Sequence, residues 1–177
     1  MLRAVRAELL ESGVEGLTVD RVAQRSGVHR ATVYRRWGDV GGLLADAVRA
    51  ARDSAWTPPD TGSLAGDLTA LAEEVVGAHQ GRPTLAVALL AASFRSEAAA
   101  TELNGFWSDR LGAAVAVVER ARSRGEVPEG TDGEAVVLAV TGPLLQSVLL
   151  LGRPVAEPDV EGLAARVAAA AAAGLLG

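Results

Sequence analysis

Apolar residues recur along this chain at spacings of three and four, and no stretch keeps the two-residue alternation of a strand. Leu2, Val5, Leu9 and Leu10 form one stripe, which Gly13 is expected to end. Thr18 is a good N-cap for a short helix with Val19, Val22 and Ala23 on one face, closed by Gly27. A third short helix is predicted from about Arg30 to Trp37. A fourth should follow Gly41 and Gly42, with Leu43, Leu44, Ala47 and Val48 inward. The run Trp56-Thr57-Pro58-Pro59-Asp60-Thr61-Gly62 breaks the pattern, as two prolines and a glycine must. Beyond it, Leu64, Leu68, Leu71, Val75 and Val76 mark a helix, and a shorter one follows Pro83. A long helix is expected over 101–124, a loop over 125–133, an apolar helix to Leu151, a break over 152–158, and an Ala-rich helix to the end. The fold expected is all-α with about nine helices: a helix-turn-helix head over 1–54 (motif 18–37), a linker over 55–62 and a body over 63–177.

Composition narrows the chemistry. Cysteine is absent, which excludes disulfides, thiolate metal sites and cysteine nucleophiles. His29 and His79 lie fifty residues apart with no ligand partner at a useful spacing, so neither metal nor cofactor is expected. A nucleophile elbow, a phosphate loop and clustered carboxylates are all missing from the sequence, and an enzyme is not expected. Charge-free stretches are expected to fall short of the roughly 18 apolar residues of a membrane span. The charged N-terminus does not resemble a signal peptide, so a cytoplasmic protein is expected. The net charge of −5 argues against a nucleic-acid partner until its distribution is considered. Residues 1–52 hold nine arginines against six acids, and residues 53–177 hold eight against sixteen. A basic head on an acidic body fits a DNA reader.

The informative stretch runs from Thr18 to Trp37. Two short helices joined by a glycine-containing turn make a helix-turn-helix. Ala23 permits close crossing, Gly27 turns the chain, and Val28 and Val33 plug the angle. The second helix then presents His29, Arg30, Thr32, Tyr34, Arg35 and Arg36 outward. Arginine can donate bidentately to guanine O6 and N7, while hydroxyls suit phosphate oxygens. His29 can equally cap the helix or touch DNA.

Over residues 2–50 the chain resembles the TetR family of bacterial transcriptional regulators. The matching positions are Leu17-Thr18-Val19, Val22-Ala23, Ser26-Gly27-Val28, Ala31 through Trp37, and Leu43-Leu44. Gly142-Pro143-Leu144-Leu145 through Gly152, after Arg124-Gly125-Glu126-Val127, looks like a regulatory domain found in many such repressors. The resemblance implies a homodimeric repressor that binds double-stranded, palindromic operator DNA and leaves it when a small, mostly hydrophobic effector binds. An activator, or a DNA-binding or interaction module without a ligand, remains open. It further implies DNA contacts by Thr18, His29, Arg30, Ala31, Thr32, Tyr34, Arg35 and Arg36, with Thr32 and Tyr34 on phosphates. There is one departure. The stretch that usually carries a lysine after the aromatic residue reads Gly38-Asp39-Val40-Gly41-Gly42.

For the effector, the aromatic residues Trp56, Phe94, Phe106 and Trp107, with the polar His79, Thr141 and Gln146, are candidate pocket residues. Ordinary core is an equal reading for any one of them. Glu73 and Glu74 are expected on a solvated face. Leu144, Leu145, Val148 and Leu149, with Val160, Leu163, Val167 and Ala171, give two helices with broad apolar faces. By the resemblance, these would pair across a two-fold axis as the dimer interface.

Overall fold

The computed structural model describes residues 1–52, 56–79, 85–94 and 96–177. The expected domain boundary at 54, the first linker residue, Ala55, and Pro83 lie outside these. No strand occurs among the described residues. The helices are α1 (Leu2–Gly16), α2 (Val19–Ser26), α3 (Arg30–Trp37), α4 (Val40–Arg52), α5 (Leu64–His79), α6 (Leu85–Ser93), α7 (Glu97–Ala114), α8 (Ala116–Ser123), α9 (Gly133–Leu145) and α10 (Glu157–Ala172). Only Val115, itself in helical conformation, separates α7 from α8. Taken as one, they make nine helices among the described residues, as the periodicity predicts. The chain forms two compact units: residues 1–55 with 81–109, and residues 56–80 with 110–177.

In the first unit α1 packs on α2, α4 and α6, and α3 packs on α2 and α4. The buried stripe of α1 is Ala4, Val5, Glu8 and Leu9, at helical spacing; the expected Leu2 and Leu10 fall to the exposed side. Glu8 escapes the apolar pattern because a charge interrupts it. It is 5% exposed, accepts from Arg25 Nε at 2.6 Å, and has Arg21 Nε at 3.8 Å. The acid therefore ties α1 to α2 at a cost in desolvation that its partners offset. Gly13 breaks α1 as expected, at φ 66°, although helical hydrogen bonding resumes to Gly16.

Helix α4 begins before the glycine pair rather than after it. Asp39 accepts from the Gly42 N–H at 2.9 Å, capping the first turn. A Cβ on Gly42 would sit inside the van der Waals shell of the Trp37 carbonyl oxygen and 2.9 Å from its carbon. Glycine at 42 thus serves a close backbone approach at the α3–α4 corner.

The second unit is built on α5, α8, α9 and α10. Leu68, Val117, Val118, Val136, Val140 and Ala164 form the inside of its core. Ala72 on α5 and Ala164 and Ala171 on α10 are buried, and their size lets the paired backbones approach closely. The proline-rich stretch expected as linker is bound to this unit from Trp56 onward. Arg120 donates to the Pro59 carbonyl and faces Asp60, and Asp67, fully buried, accepts from the Thr61 N–H and hydroxyl at 2.6 and 2.8 Å. Helix α9 carries Pro143, which lacks the N–H for its turn and crowds the carbonyl four residues back. A π turn over Gln146–Leu150 follows.

One expectation fails here. Gly133–Leu150 is 18 residues long with mean hydropathy 1.6, enough by length and composition to cross a membrane. The apolar run is easy to overlook because Thr141, Pro143 and Gln146 interrupt it without adding charge. Its inner side, Val136, Val137, Val140 and Leu144, belongs to the core of the second unit.

Glu126 caps α5 from a distant loop, accepting from the Leu64 N–H at 2.7 Å. That bond, with the Arg124 guanidinium second, holds its carboxyl below the usual carboxylate range. A depressed folded value gives stability that is present above the unfolded pKa, about 4.3, and is lost as pH falls through the folded one. Glu126→Gln is therefore expected to destabilise the second unit at pH 7 and to flatten its acid limb. Urea unfolding of both proteins between pH 7 and pH 3 checks this; parallel curves would refute it.

Candidate DNA-reading surface

The helix-turn-helix is fixed by its caps. Thr18, in extended backbone, accepts from the Arg21 N–H at 3.2 Å, which leaves the hydroxyl proton free to donate. Gly27 takes φ 69°, ψ 12°, a left-handed conformation that side chains disfavour, and so ends α2. His29 caps α3, its Nδ1 accepting from the Ala31 N–H at 3.3 Å. Val33 is fully buried under α3, and Val28 and Trp37 pack partly against the same core. Trp37 donates from Nε1 to Asp46 on α4 at 3.0 Å, which pins the end of α3.

With Val33 inward, Arg30, Ala31, Tyr34, Arg35 and Arg36 are exposed, as is Thr32 at the first turn's outer side, in whole or in part. Their states differ. Arg30 Nε lies 2.7 Å from Asp20 on α2, and its guanidinium sits over the Tyr34 ring, 5.2 Å from the centroid. Tyr34 and then Asp20 hold the Arg30 guanidinium more firmly protonated than usual. Arg36 lies over the Trp37 ring at 4.7 Å. Among the described residues, Arg35 and Arg36 have no ion-pair partner, whereas Arg21, Arg25, Arg49 and Arg52 are all paired with acids. An open hollow lined by Asp20, Ala23, Gln24, Gly27, Val28, His29 and Arg30 lies beside the turn. Asp20 and Gln24 are not among the expected site residues; their outward positions on α2 are the signal that marks them.

The expected dimer residues are corrected in part. Leu144, Val160, Val167 and Ala171 are buried in the core of their own chain and offer no surface. Small residues on α10 serve its packing on α5. Leu145, Val148, Leu149 and Leu163 keep partial exposure, and Leu138, Leu150 and Leu151, which are not among the expected residues, are exposed.

The expected pocket residues divide between the units. Phe106 and Trp107 meet edge to face at 5.1 Å in the first unit, but Phe94 is 82% exposed. In the second unit, Trp56 donates to Glu74 at 2.9 Å under the Arg110 guanidinium, 3.8 Å from the ring centroid. Glu74 lies on the solvated face expected for it and there accepts from Trp56 and Arg110, in a cation–aromatic cluster. His79 is buried and donates from Nδ1 to the Val75 carbonyl at 2.8 Å. Thr141 bonds back to Val137, and Gln146 is exposed. Among the described residues no group of three or more His, Cys, Asp or Glu is placed to hold a metal.

Residues 1–47 match the model of the tetR family of bacterial regulatory proteins, and residues 58–167 match that of the tetracyclin repressor-like C-terminal domain. The chain belongs to the TetR family. Like its relatives, this TetR-family protein is a DNA-binding, helix-turn-helix transcriptional regulator. It is 35% identical to the HTH-type transcriptional regulator AqdR of Rhodococcus erythropolis, over 80% of this chain and 69% of that one. The crystal structure of the TetR family transcription regulator SCO0332 superposes with a TM-score of 0.71 at 27% identity, covering 95% of this chain and 94% of that one. SmeT, solved as its triclosan complex, shares the fold at a TM-score of 0.63 and 18% identity, covering 96% of this chain and 88% of SmeT.

Proposed function

We propose that this TetR-family protein is a cytoplasmic, homodimeric repressor that lays α3 of each protomer in successive major grooves of a palindromic operator. In this reading it releases the DNA when a small, mostly hydrophobic effector binds. The observation that carries the reading is the outer face of α3, where Thr32, Tyr34, Arg35 and Arg36 are exposed in whole or in part and Arg35 and Arg36 face no acid, while the other arginines of the helix-turn-helix are paired with acids. Arg35, Arg36 and the hydroxyls of Thr32 and Tyr34 hold phosphates, and Arg30 reads a base. The stretch Gly38-Asp39-Val40-Gly41-Gly42 lacks the usual phosphate-gripping lysine, so the arginines of α3 carry the backbone contact. Any DNA contact by His29 falls to its outer nitrogen, since Nδ1 is used in capping.

An effector response finds support in the shared fold with SmeT, which binds triclosan. Release requires that the ligand bind one conformation better than the other, by about 1–3 kcal/mol of coupling.

Tyr34→Phe is expected to weaken binding to every operator variant by a similar factor, because phosphate contacts position without specifying. Arg30→Ala should cost about 1–3 kcal/mol and relax preference at one base pair of each half-site. Fluorescence anisotropy with a set of single-base operator variants separates the two. Equal, sequence-independent losses from both would refute Arg30 as a base reader.

A further inference from the structure

Asp20 is an acid on the surface assigned to the DNA, where a negative charge should repel phosphates. Its position explains its presence. Asp20 lies in the first turn of α2 and Arg30 at the start of α3, so a contact between them spans the turn of the motif. Asp20 Oδ1 stands 2.7 Å from Arg30 Nε, with both side chains more than half exposed. From the other side, Arg30 Nη2 lies 3.5 Å from the Tyr34 hydroxyl and the guanidinium covers the Tyr34 ring. An arginine side chain has many rotamers, and holding one against solvent needs partners on more than one side. Here the acid occupies Nε, the Tyr34 hydroxyl takes one hydrogen of Nη2 and the ring lies against one face. Nη1 and the second hydrogen of Nη2 are left for a new partner, and two such donors side by side match guanine O6 and N7.

We propose that Asp20 is a specificity-determining positioning residue: it holds Arg30 by Nε so that the free donors of its terminal nitrogens face the base edge. The pair stabilises the fold little, as exposed ion pairs do. What it supplies is orientation before DNA arrives, which lowers the ordering cost of a correct contact. The acid also weakens binding to every sequence by facing the phosphates, which leaves the ratio between sequences unchanged; discrimination comes from the orientation of Arg30 alone. The inference rests on α3 reading the groove through Arg30.

The test uses the full-length protein and a pool of DNA duplexes with a randomised centre, from which the wild-type base preferences are first read. Arg30→Ala should flatten one base pair per half-site by roughly ten-fold. Asp20→Asn should flatten that same pair by about three-fold or more, and no other, while tightening binding to unrelated DNA and steepening its salt dependence. The double variant should be no flatter at that pair than Arg30→Ala alone, because Asp20 acts through Arg30. A charge effect alone would tighten all sequences equally and leave the preference intact, and a merely structural role would weaken every sequence and lower the melting temperature. Either result from Asp20→Asn, with Arg30→Ala still flattening its pair, overturns this inference alone. If Arg30→Ala leaves every preference unchanged, the base-reader assignment fails and takes the inference with it.

Discussion

Leu145→Glu is expected to leave a folded monomer whose operator binding is about 10²- to 10⁴-fold weaker than that of the dimer. Leu138, Gly142, Leu145 and Leu149 follow one another at helical spacing on the side of α9 away from Val136, Val140 and Leu144. Leu138 is exposed and Leu145 and Leu149 are half-exposed, so this side adds little to the core of its own chain. Leu150 and Leu151 extend the apolar surface beyond the π turn. Paired with a second copy, Leu145 would be taken from water, and a glutamate there would be a buried charge without a partner. The loss in DNA affinity follows because two linked heads bind the second half-site as an intramolecular event. Val167→Glu supplies the contrast. Val167 is 7% exposed in the core of the second unit, so its variant should lose folded body rather than dimer alone. Sedimentation and circular dichroism of both proteins decide the matter, and a Leu145→Glu protein that stays dimeric would move the interface elsewhere.

Gly42→Ala should displace the recognition helix. The added Cβ meets the Trp37 carbonyl, which is backbone and cannot rotate away. Relief requires α3 and α4 to part at their corner, at a cost of about 2–3 kcal/mol by the measure of overpacked cores. The Trp37–Asp46 hydrogen bond spans the same corner and should be strained or lost. In a background with Trp56 and Trp107 replaced by phenylalanine, Trp37 emission should shift red. The melting temperature of the head should fall and operator binding with it. Gly112→Ala is the control of opposite sign: Gly112 is exposed in α7 with nothing near its missing Cβ, so alanine should stabilise the helix by about 1 kcal/mol. Equal effects from the two substitutions would remove the close-approach account of Gly42.

The helix-turn-helix is legible in the sequence because its chemistry is local. Thr18, Gly27 and the apolar Val19, Val22, Ala23 and Val33 act within one or two turns, so their spacing in the chain is their spacing in space. The outward set on α3 follows from the inward Val33 by helical period alone. Helix number and the breaks at Pro58-Pro59 and at 125–133 are readable for the same reason.

What the sequence leaves open depends on partners far along the chain. An apolar face on α9 or α10 reads identically whether it meets α5 or a second protomer; only packing separates buried Leu144, Val160, Val167 and Ala171 from half-exposed Leu145 and Leu149. The role of Glu8 is hidden because its partners Arg21 and Arg25 sit on another helix, and that of Asp67 because Thr61, Arg120 and Arg124 reach it from elsewhere. Asp20 and Arg30, ten residues apart, are brought together only when the Gly27 turn folds α3 back beside α2. By itself the sequence determined what each helix presents, through residue size, polarity and a period of 3.6. Which of those surfaces would be covered, and which charges paired, was decided by tertiary packing, because burial and ion pairing are properties of neighbours rather than of position along the chain.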